Sequence, residues 1–373
     1  MKKVLMALFT GLMRFIYMFI RLTPEKEQVT MVSRQSDEES LDYRMLREEL
    51  ARRGVETRLM CRKLSMSPGY FFHMLAQMKQ IAASKAVITD SYSIPVSILR
   101  HKKNLQIMQI WHAVSAVKQF GRQTVGKKEG SSEAVSSGMH IHENYDYIAC
   151  PSRITGRHFS EGFGYDGSNA VLLGLPRIDF IATEDPEMSD EIRKHYGAGR
   201  DGKKVILYVP TFRRTSRTDY MSLARHIDKE KYDLLVRLHP LDDTPKEPAE
   251  GVIFADEYGS YDLLKACDIV ISDYSSFVVE ASITGKPLYL YTYDLEQYEA
   301  DNGLNVRFSE ERIGKYQFTD AEELAACLEE EYDADALAAF MGKFIEVEPG
   351  YCTEKMADAV CEMIKGRRLK AGI

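Results

Sequence analysis

Apolar and polar positions along this 373-residue chain change period in a regular order. Short apolar runs at EQVTMVS (27–33), VETRLMC (55–61), AVITDS (86–91), LQIMQIW (105–111), YDYIACPS (145–152) and NAVLLGLPR (169–177) have strand length and strand composition. Between them lie stretches of helical period: SLDYRMLREELARRG ending on Gly54, residues 70–84, IPVSILRHK and SRITGRHFSEGFG. A helical connection, DPEMSDEIRKHYG, precedes a second series, in which KKVILYVPT, YDLLVRLHP, GVIFAD, IVISDYSS and PLYLYTYD read as strands, with YDLLKAC and FVVEASITG among the helices. Thr319 with Glu322 reads as a capping box opening AEELAACLEEEY. Buried strands alternating with helices predict parallel, doubly wound sheets. Two such series predict an α/β protein with two Rossmann-like domains, at 25–190 and 200–345, split near residues 180–200, with a C-terminal helix and basic tail over 346–373.

The first 24 residues, MKKVLMALFTGLMRFIYMFIRLTP, break this alternation. Arg14 interrupts the apolar run, which therefore lacks the roughly 18 uncharged residues of a simple spanning helix, and no small-residue cleavage site follows it. Lys3, Thr10, Arg14 and Arg21 fall within about 40° of one another at 100° per residue. A narrow polar stripe on a greasy helix suits a segment lying in a membrane interface, and the alternative is the solvated edge of a helix packed on its own protein. Lys365, Arg367, Arg368 and Lys370 at the other terminus add positive charge that anionic membrane lipid attracts. These features place the protein at the cytoplasmic face of a membrane, peripherally held.

Composition narrows the chemistry. A net charge of −7 argues against general nucleic-acid binding, which rests on clustered Lys and Arg. Six cysteines without a CxxC pair suit reduced thiols better than disulfides or zinc. Three motifs are set aside. GFGYDG (162–167) follows a helix and precedes a strand, the reverse of a dinucleotide fingerprint. GRQTVGKK (121–128) places Lys128 where a phosphate loop needs a hydroxyl. Asp333 and Asp335 lie in a helix-forming acidic segment and read as a solvated face. His140 and His142 in MHIHENYD lack an evident third metal ligand. The sequence thus calls for no metal and no cofactor.

What survives shares a geometry, because ligands of open parallel sheets bind outside the carboxyl ends of the strands. His112 follows LQIMQIW, directly after Trp111, the single tryptophan of the chain, and Lys118 lies in the loop beyond. Thr211, Arg213 and Arg214 follow KKVILYVP, and Arg237 with His239 closes YDLLVRLHP. Asp273, Ser275 and Ser276 close IVISD and open the helix FVVEASITG. Serines at a helix start favour negative charge, although plain N-capping explains them too; Arg213, Arg237 and His239 add the charge that a diphosphate requires.

The segments WHAVSAVKQFG, YVPTFR, RLHP and ISDYSSFVVEASITGKPLYLYTYDLEQY, in this order, together with GLPRID (174–179), resemble the CDP-glycerol glycerophosphotransferases of teichoic-acid synthesis over roughly Val29 to Tyr298. Many members carry His-Gly-Thr-Pro where this chain has His112, Ala113, Val114 and Ser115. The resemblance implies a GT-B-like fold with an acceptor domain followed by a donor domain across a cleft. It also implies a CDP-glycerol or CDP-ribitol donor, an acceptor on an undecaprenyl-diphosphate-linked saccharide or polyol phosphate chain, and active-site roles for His112 and His239. The residues themselves agree: transfer of a phosphopolyol needs a base for the acceptor hydroxyl, His112, and positive charge at the diphosphate, from His239, Arg213, Arg237 and the Ser275–Ser276 helix start, with Thr211 and Asp273 beside them. Trp111 and Lys118 stand on the acceptor side. Two other readings are a GT-B glycosyltransferase using a nucleotide sugar and an inactive membrane-surface binding module.

Overall fold

The computed structural model describes residues 2–127, 130, 132–213 and 216–373. Lys128 and Arg214 lie outside the described residues. Two compact units divide the chain, Met1–Phe180 with Ile345–Ile373, and Ile181–Phe344.

The first unit opens with helix α1 (Lys2–Ile20), followed by β1 (Gln28–Ser33), α2 (Leu41–Arg52), β2 (Glu56–Cys61), α3 (Pro68–Ala83), β3 (Ala86–Thr89) and α4 (Ile94–Ile98). It continues through β4 (Gln106–Gln109), α5 (Glu133–Gly138), β5 (Tyr147–Cys150), α6 (Arg153–Phe163), β6 (Ala170–Leu172) and α7 (Pro176–Ala182). Its strands pair in parallel in the order β2-β1-β3-β4-β5-β6. The chain winds outward to β2, then reverses direction across β1, so the switch point of the sheet lies between β1 and β3.

The second unit runs α8 (Pro186–Tyr196), β7 (Lys204–Tyr208), α9 (Tyr220–His226), β8 (Tyr232–Val236), β9 (Val252–Phe254), α10 (Ser260–Ala266) and β10 (Ile269–Ser272). There follow α11 (Phe277–Ser282), β11 (Leu288–Tyr291), α12 (Leu295–Asn302), β12 (Gln317–Phe318), α13 (Ala321–Cys327) and α14 (Ala334–Phe344). Its parallel order, β12-β11-β10-β7-β8-β9, is the Rossmann order, with the switch point between β7 and β10. The cap of α13 is Asp320, whose carboxylate accepts from the Glu322 and Glu323 N–H groups. The expected Thr319–Glu322 box is therefore one residue out of register, because an aspartate nearer the first turn can satisfy two of its free donors by itself. The helix also stops at Cys327 instead of running through the acidic stretch beyond it.

After the second unit the chain returns to the first. Helix α15 (Cys352–Ile364) buries Met356, Ala357, Val360 and Met363 in the core that contains Val29, Met31, Tyr43, Leu46 and Met108. Asp179 ties this return in place, accepting from the Gly350, Cys352 and Thr353 N–H groups.

Helix α1 overturns the reading of its polar stripe. Lys3–Ile20 has the length and mean hydropathy, 1.6, of a spanning helix, yet Met13 and Tyr17 are packed against Met74, Met78, Ala82 and Leu99 of its own unit. Arg14 Nε donates to the Ile98 carbonyl at 2.7 Å and its Nη2 to His140 Nε2 at 3.1 Å, Thr10 is buried, and Arg21 donates to the Arg100 carbonyl. The middle of the stripe, Thr10 and Arg14, thus points at protein, while Lys3 and Arg21 at its two ends are exposed. The surface it leaves outside is the apolar one: Val4, Leu5, Leu8, Leu12, Phe15, Met18, Phe19 and Leu22 are 51–79% exposed. The basic tail is likewise less available than its composition implies, since Lys365 and Arg367 bind Glu362 and Arg368 binds Asp146.

Candidate active site

In the first unit the carboxyl ends of β1, β3 and β4 lie side by side and carry Arg34, Asp90 and Ser91, and Trp111 and His112 respectively. Trp111 adopts a left-handed backbone, φ 58°, which for a bulky aromatic costs of order 1–3 kcal/mol and is kept where the surroundings over-determine it. Those surroundings are visible. Its N–H donates to Gln109 Oε1 at 2.8 Å, and its ring packs on Phe120, Phe163 and His142 and lies 4.0 Å from the His112 ring. Gly162, from the discarded GFGYDG motif, permits this: a Cβ there would meet the Phe120 ring at 2.4 Å.

The turn at Trp111 lifts His112 out of the strand line and leaves the residue solvent-accessible beside the Asp90 carbonyl. Its Nδ1 lies 3.0 Å from the Asp90 carbonyl oxygen, and the Gln35 carboxamide closes over the same nitrogen at 3.1 Å. The Asp90 carbonyl can only accept, so in that shorter bond Nδ1 carries the proton and Nε2 the lone pair, and the Gln35 amide nitrogen then makes contact with Nδ1 without donating to it. Burial, then the charges of Arg177, Arg34 and Lys118, push the His112 pKa down to about 4, partly offset by the Asp90 carbonyl bond. The ring is neutral at neutral pH, as a base must be.

Sequence reasoning missed the support beneath it. Arg177, from GLPRID, donates through Nη1 to the His112 carbonyl at 3.0 Å, while its backbone N–H and Nε bind the two oxygens of Asp42 at 2.8 Å each. Asp42 is 1% exposed. In sequence it reads as an acid placed favourably in the first turn of α2, and nothing local pairs it with a residue 135 positions away. His140 and His142, weighed as metal ligands, have other duties. His140 Nδ1 donates to Glu143, and His142 is buried with Nδ1 against the Tyr145 hydroxyl. No group of three potential ligands occurs among the described residues.

In the second unit Thr211 follows β7 and Asp273 follows β10, flanking the switch point. The Thr211 N–H donates to both Asp273 oxygens, at 2.9 and 3.0 Å, and Thr211 Oγ1 is buried with no hydrogen-bond partner among the described residues. Ser275 Oγ accepts from the Phe277 N–H, so the capping reading of this serine holds at that atom. Ser276 is half-buried beside it. His239 is exposed at the end of β8, stacked on Phe212, and its Nδ1 accepts from the Leu241 N–H at 3.1 Å. Its proton therefore sits on Nε2, the opposite tautomer to His112. Arg237 donates to the Asp256 carbonyl at 2.9 Å.

Arg213 does not face outward as expected. It is buried, forms ion pairs with Asp273 at 2.9 Å and Asp294 at 2.6 Å, and donates to the Thr211 carbonyl at 2.7 Å. Burial would lower its pKa, but the two carboxylates outweigh that and raise it. One cation between two anions brings no positive charge to a diphosphate. The knot explains why three motifs travel together: the arginine of TFR clamps the aspartate of SDYSS to that of TYD, and Tyr274, whose hydroxyl donates to Asp294, stacks on Tyr298 at 4.0 Å.

The sequence matches the family model of CDP-Glycerol:Poly(glycerophosphate) glycerophosphotransferase over residues 15–362. The chain belongs to that family. A Teichoic acid ribitol-phosphate primase of Bacillus spizizenii is 27% identical over 363 residues, covering 92% of this chain and 93% of the relative. A Teichoic acid glycerol-phosphate primase of Bacillus subtilis is 30% identical over 241 residues, 62% of each chain. Among solved structures, the Wall Teichoic Acid Polymerase TagF superposes with a TM-score of 0.73 at 19% identity, covering 98% of this chain and 97% of that one. MnaA of S. aureus, solved with UDP, reaches 0.58 at 13% identity over 92% of this chain and 98% of its own. The fold is thus the GT-B-like α/β class expected from the sequence.

Proposed function

We propose that this protein transfers glycerol phosphate or ribitol phosphate from a CDP-linked donor to a hydroxyl of a polyprenyl-diphosphate-linked saccharide or polyol phosphate chain, in the synthesis of teichoic acid or a related surface polymer. The observation that carries this reading is His112: a neutral imidazole whose protonated nitrogen is capped by a main-chain carbonyl and whose basic nitrogen remains for a substrate. The acceptor oxygen attacks the phosphorus that bears the polyol and gives its proton to His112 Nε2. The bond from that phosphorus to the bridging oxygen breaks, and CMP leaves with the electron pair. On the donor side, the His239 Nε2–H, Arg237, Ser275, Ser276 and the Thr211 hydroxyl are the groups suited to the diphosphate, with Arg213 and Asp273 holding the two strand ends that present them. Trp111 and Lys118 wall the acceptor side.

Incubation with labelled CDP-glycerol, CDP-ribitol and a panel of nucleotide sugars tests the proposal. Release of CMP with transfer of label to a polyol phosphate acceptor supports it. Turnover of a nucleotide sugar alone makes the protein a glycosyltransferase, and no turnover with any donor makes it a binding module. Because kcat/KM reports the ionisation of the free enzyme, it should stay level as pH falls through 6.5 and drop only as His112 takes a proton, toward about 4. An acid limb centred at an ordinary histidine value would place the base elsewhere.

Helix α1 supports attachment to the cytoplasmic face of a membrane through its outward apolar face, with anionic lipid as the surface. The triple variant Leu8→Glu, Phe15→Glu, Phe19→Glu should abolish sedimentation with anionic vesicles and leave the melting temperature within a degree or two, because these side chains touch little protein. Tyr17→Ala should do the reverse. If the triple variant still sediments, the helix is not the attachment.

A further inference from the structure

We propose that Arg34 is an acceptor-side phosphate-binding residue, holding the anionic group of an acceptor whose hydroxyl is delivered to His112. The inference rests on the reading of His112 as base and adds to it the residue that holds the acceptor's phosphate.

Arg34 is the first residue after β1, at the switch point between β1 and β3 where an open parallel sheet offers its ligand crevice. Its guanidinium is half-buried and lies over the Tyr92 ring, 4.7 Å from the centroid. Among the described residues it makes no ion pair with a carboxylate, in contrast to Arg47 with Glu39, Arg53 with Glu49 and Arg177 with Asp42 in the same unit. A half-buried guanidinium that makes no ion pair pays part of its desolvation without a direct partner, and its planar donors match a phosphate in two-pronged fashion. The neighbouring residue, Gln35, touches His112 Nδ1 at 3.1 Å, and the Arg34 backbone N–H donates to Ser91 Oγ beside Asp90, so the arginine and the histidine stand at neighbouring strand ends. The charge of Arg34 also lowers the pKa of both His112 and His142, consistent with that proximity. A substrate that fits both groups carries a phosphate within a few bonds of its attacking hydroxyl, as the end of a polyol phosphate chain does.

The test compares full-length wild type, Arg34→Gln and Arg34→Lys with CDP-glycerol as donor and two soluble acceptors, a short polyol phosphate oligomer and an unphosphorylated polyol of similar length. The ratio of kcat/KM for the phosphorylated over the unphosphorylated acceptor should fall about 10–100-fold in Arg34→Gln, the range for losing a hydrogen bond to a charged group, and recover in part in Arg34→Lys. Direct titration of the phosphorylated oligomer, read on the fluorescence of Trp111, should weaken in parallel; this readout and the lysine variant serve if Arg34→Gln folds poorly. Equal loss on both acceptors would overturn the proposal, leaving Arg34 as a support of the strand ends. Weaker binding of CDP-glycerol without acceptor would overturn it as well, by assigning the phosphate to the donor. Failure of the base reading is distinct, because it shows as retained turnover in His112→Ala whatever Arg34 does.

Discussion

His112→Ala is expected to abolish polyol phosphate transfer while leaving CDP-polyol binding close to wild type. Loss of a general base costs roughly 10²–10⁴-fold in rate, and the upper part of that range is expected because the imidazole is held in one tautomer by the Asp90 carbonyl and in one place by Arg177 and Trp111. Single-turnover assays with labelled CDP-glycerol give the rate, and calorimetry gives donor affinity. The two together discriminate a base from a structural residue: a rate within threefold of wild type removes His112 from the chemistry, and a parallel collapse of donor binding would mean that the substitution disturbs more than the proton transfer.

The second large effect falls on stability. Arg213→Met leaves Asp273, 0% exposed, and Asp294 close together without the cation between them. Removing one partner from a buried ionic network costs about 3–5 kcal/mol, so the urea midpoint of the second unit should fall markedly, and the double variant Arg213→Met, Asp294→Asn should recover part of the loss. Calorimetry with CDP-glycerol on the folded fraction separates this from a direct role. A variant of unchanged stability that has lost the donor would show that Arg213 does meet the diphosphate, as its place after a strand first suggested.

Both results bear on what could be read from the amino acids alone. The alternation of apolar runs and helical stretches was enough for two parallel sheets, because buried strands and amphipathic helices are local patterns, and strand ends located His112, His239 and the Asp273–Ser276 turn for the same reason. Direction and partnership were not local. Arg213 reads as a free cation until Asp294, 81 residues on, is brought against it, and Asp42 and Arg177 are linked only by the closure of the first sheet. Arg34 has the opposite signature, a residue that looks like any surface arginine and is marked by making no ion pair with a carboxylate among the described residues. In α1 the period revealed a stripe but could not say on which side the protein lay, since Arg14 finds its partners in the Ile98 carbonyl and His140.

The return of α15 to the first unit has a consequence for how the molecule is made. The second unit is continuous, Ile181–Phe344, whereas the core of the first unit includes Met356, Val360 and Met363. At about 5–20 residues per second of synthesis, the strands of the first sheet leave the ribosome roughly 10–70 s before the helix that covers them is complete, so the later-encoded unit has every residue of its own core first. During that interval Val29, Met31 and Met108 lack their α15 neighbours, and the apolar outer face of α1 is exposed as well. A nascent chain in this state is a client for chaperones or for the membrane surface, and a ribosome stalled before codon 352 would release a protein with one finished half and one sticky one.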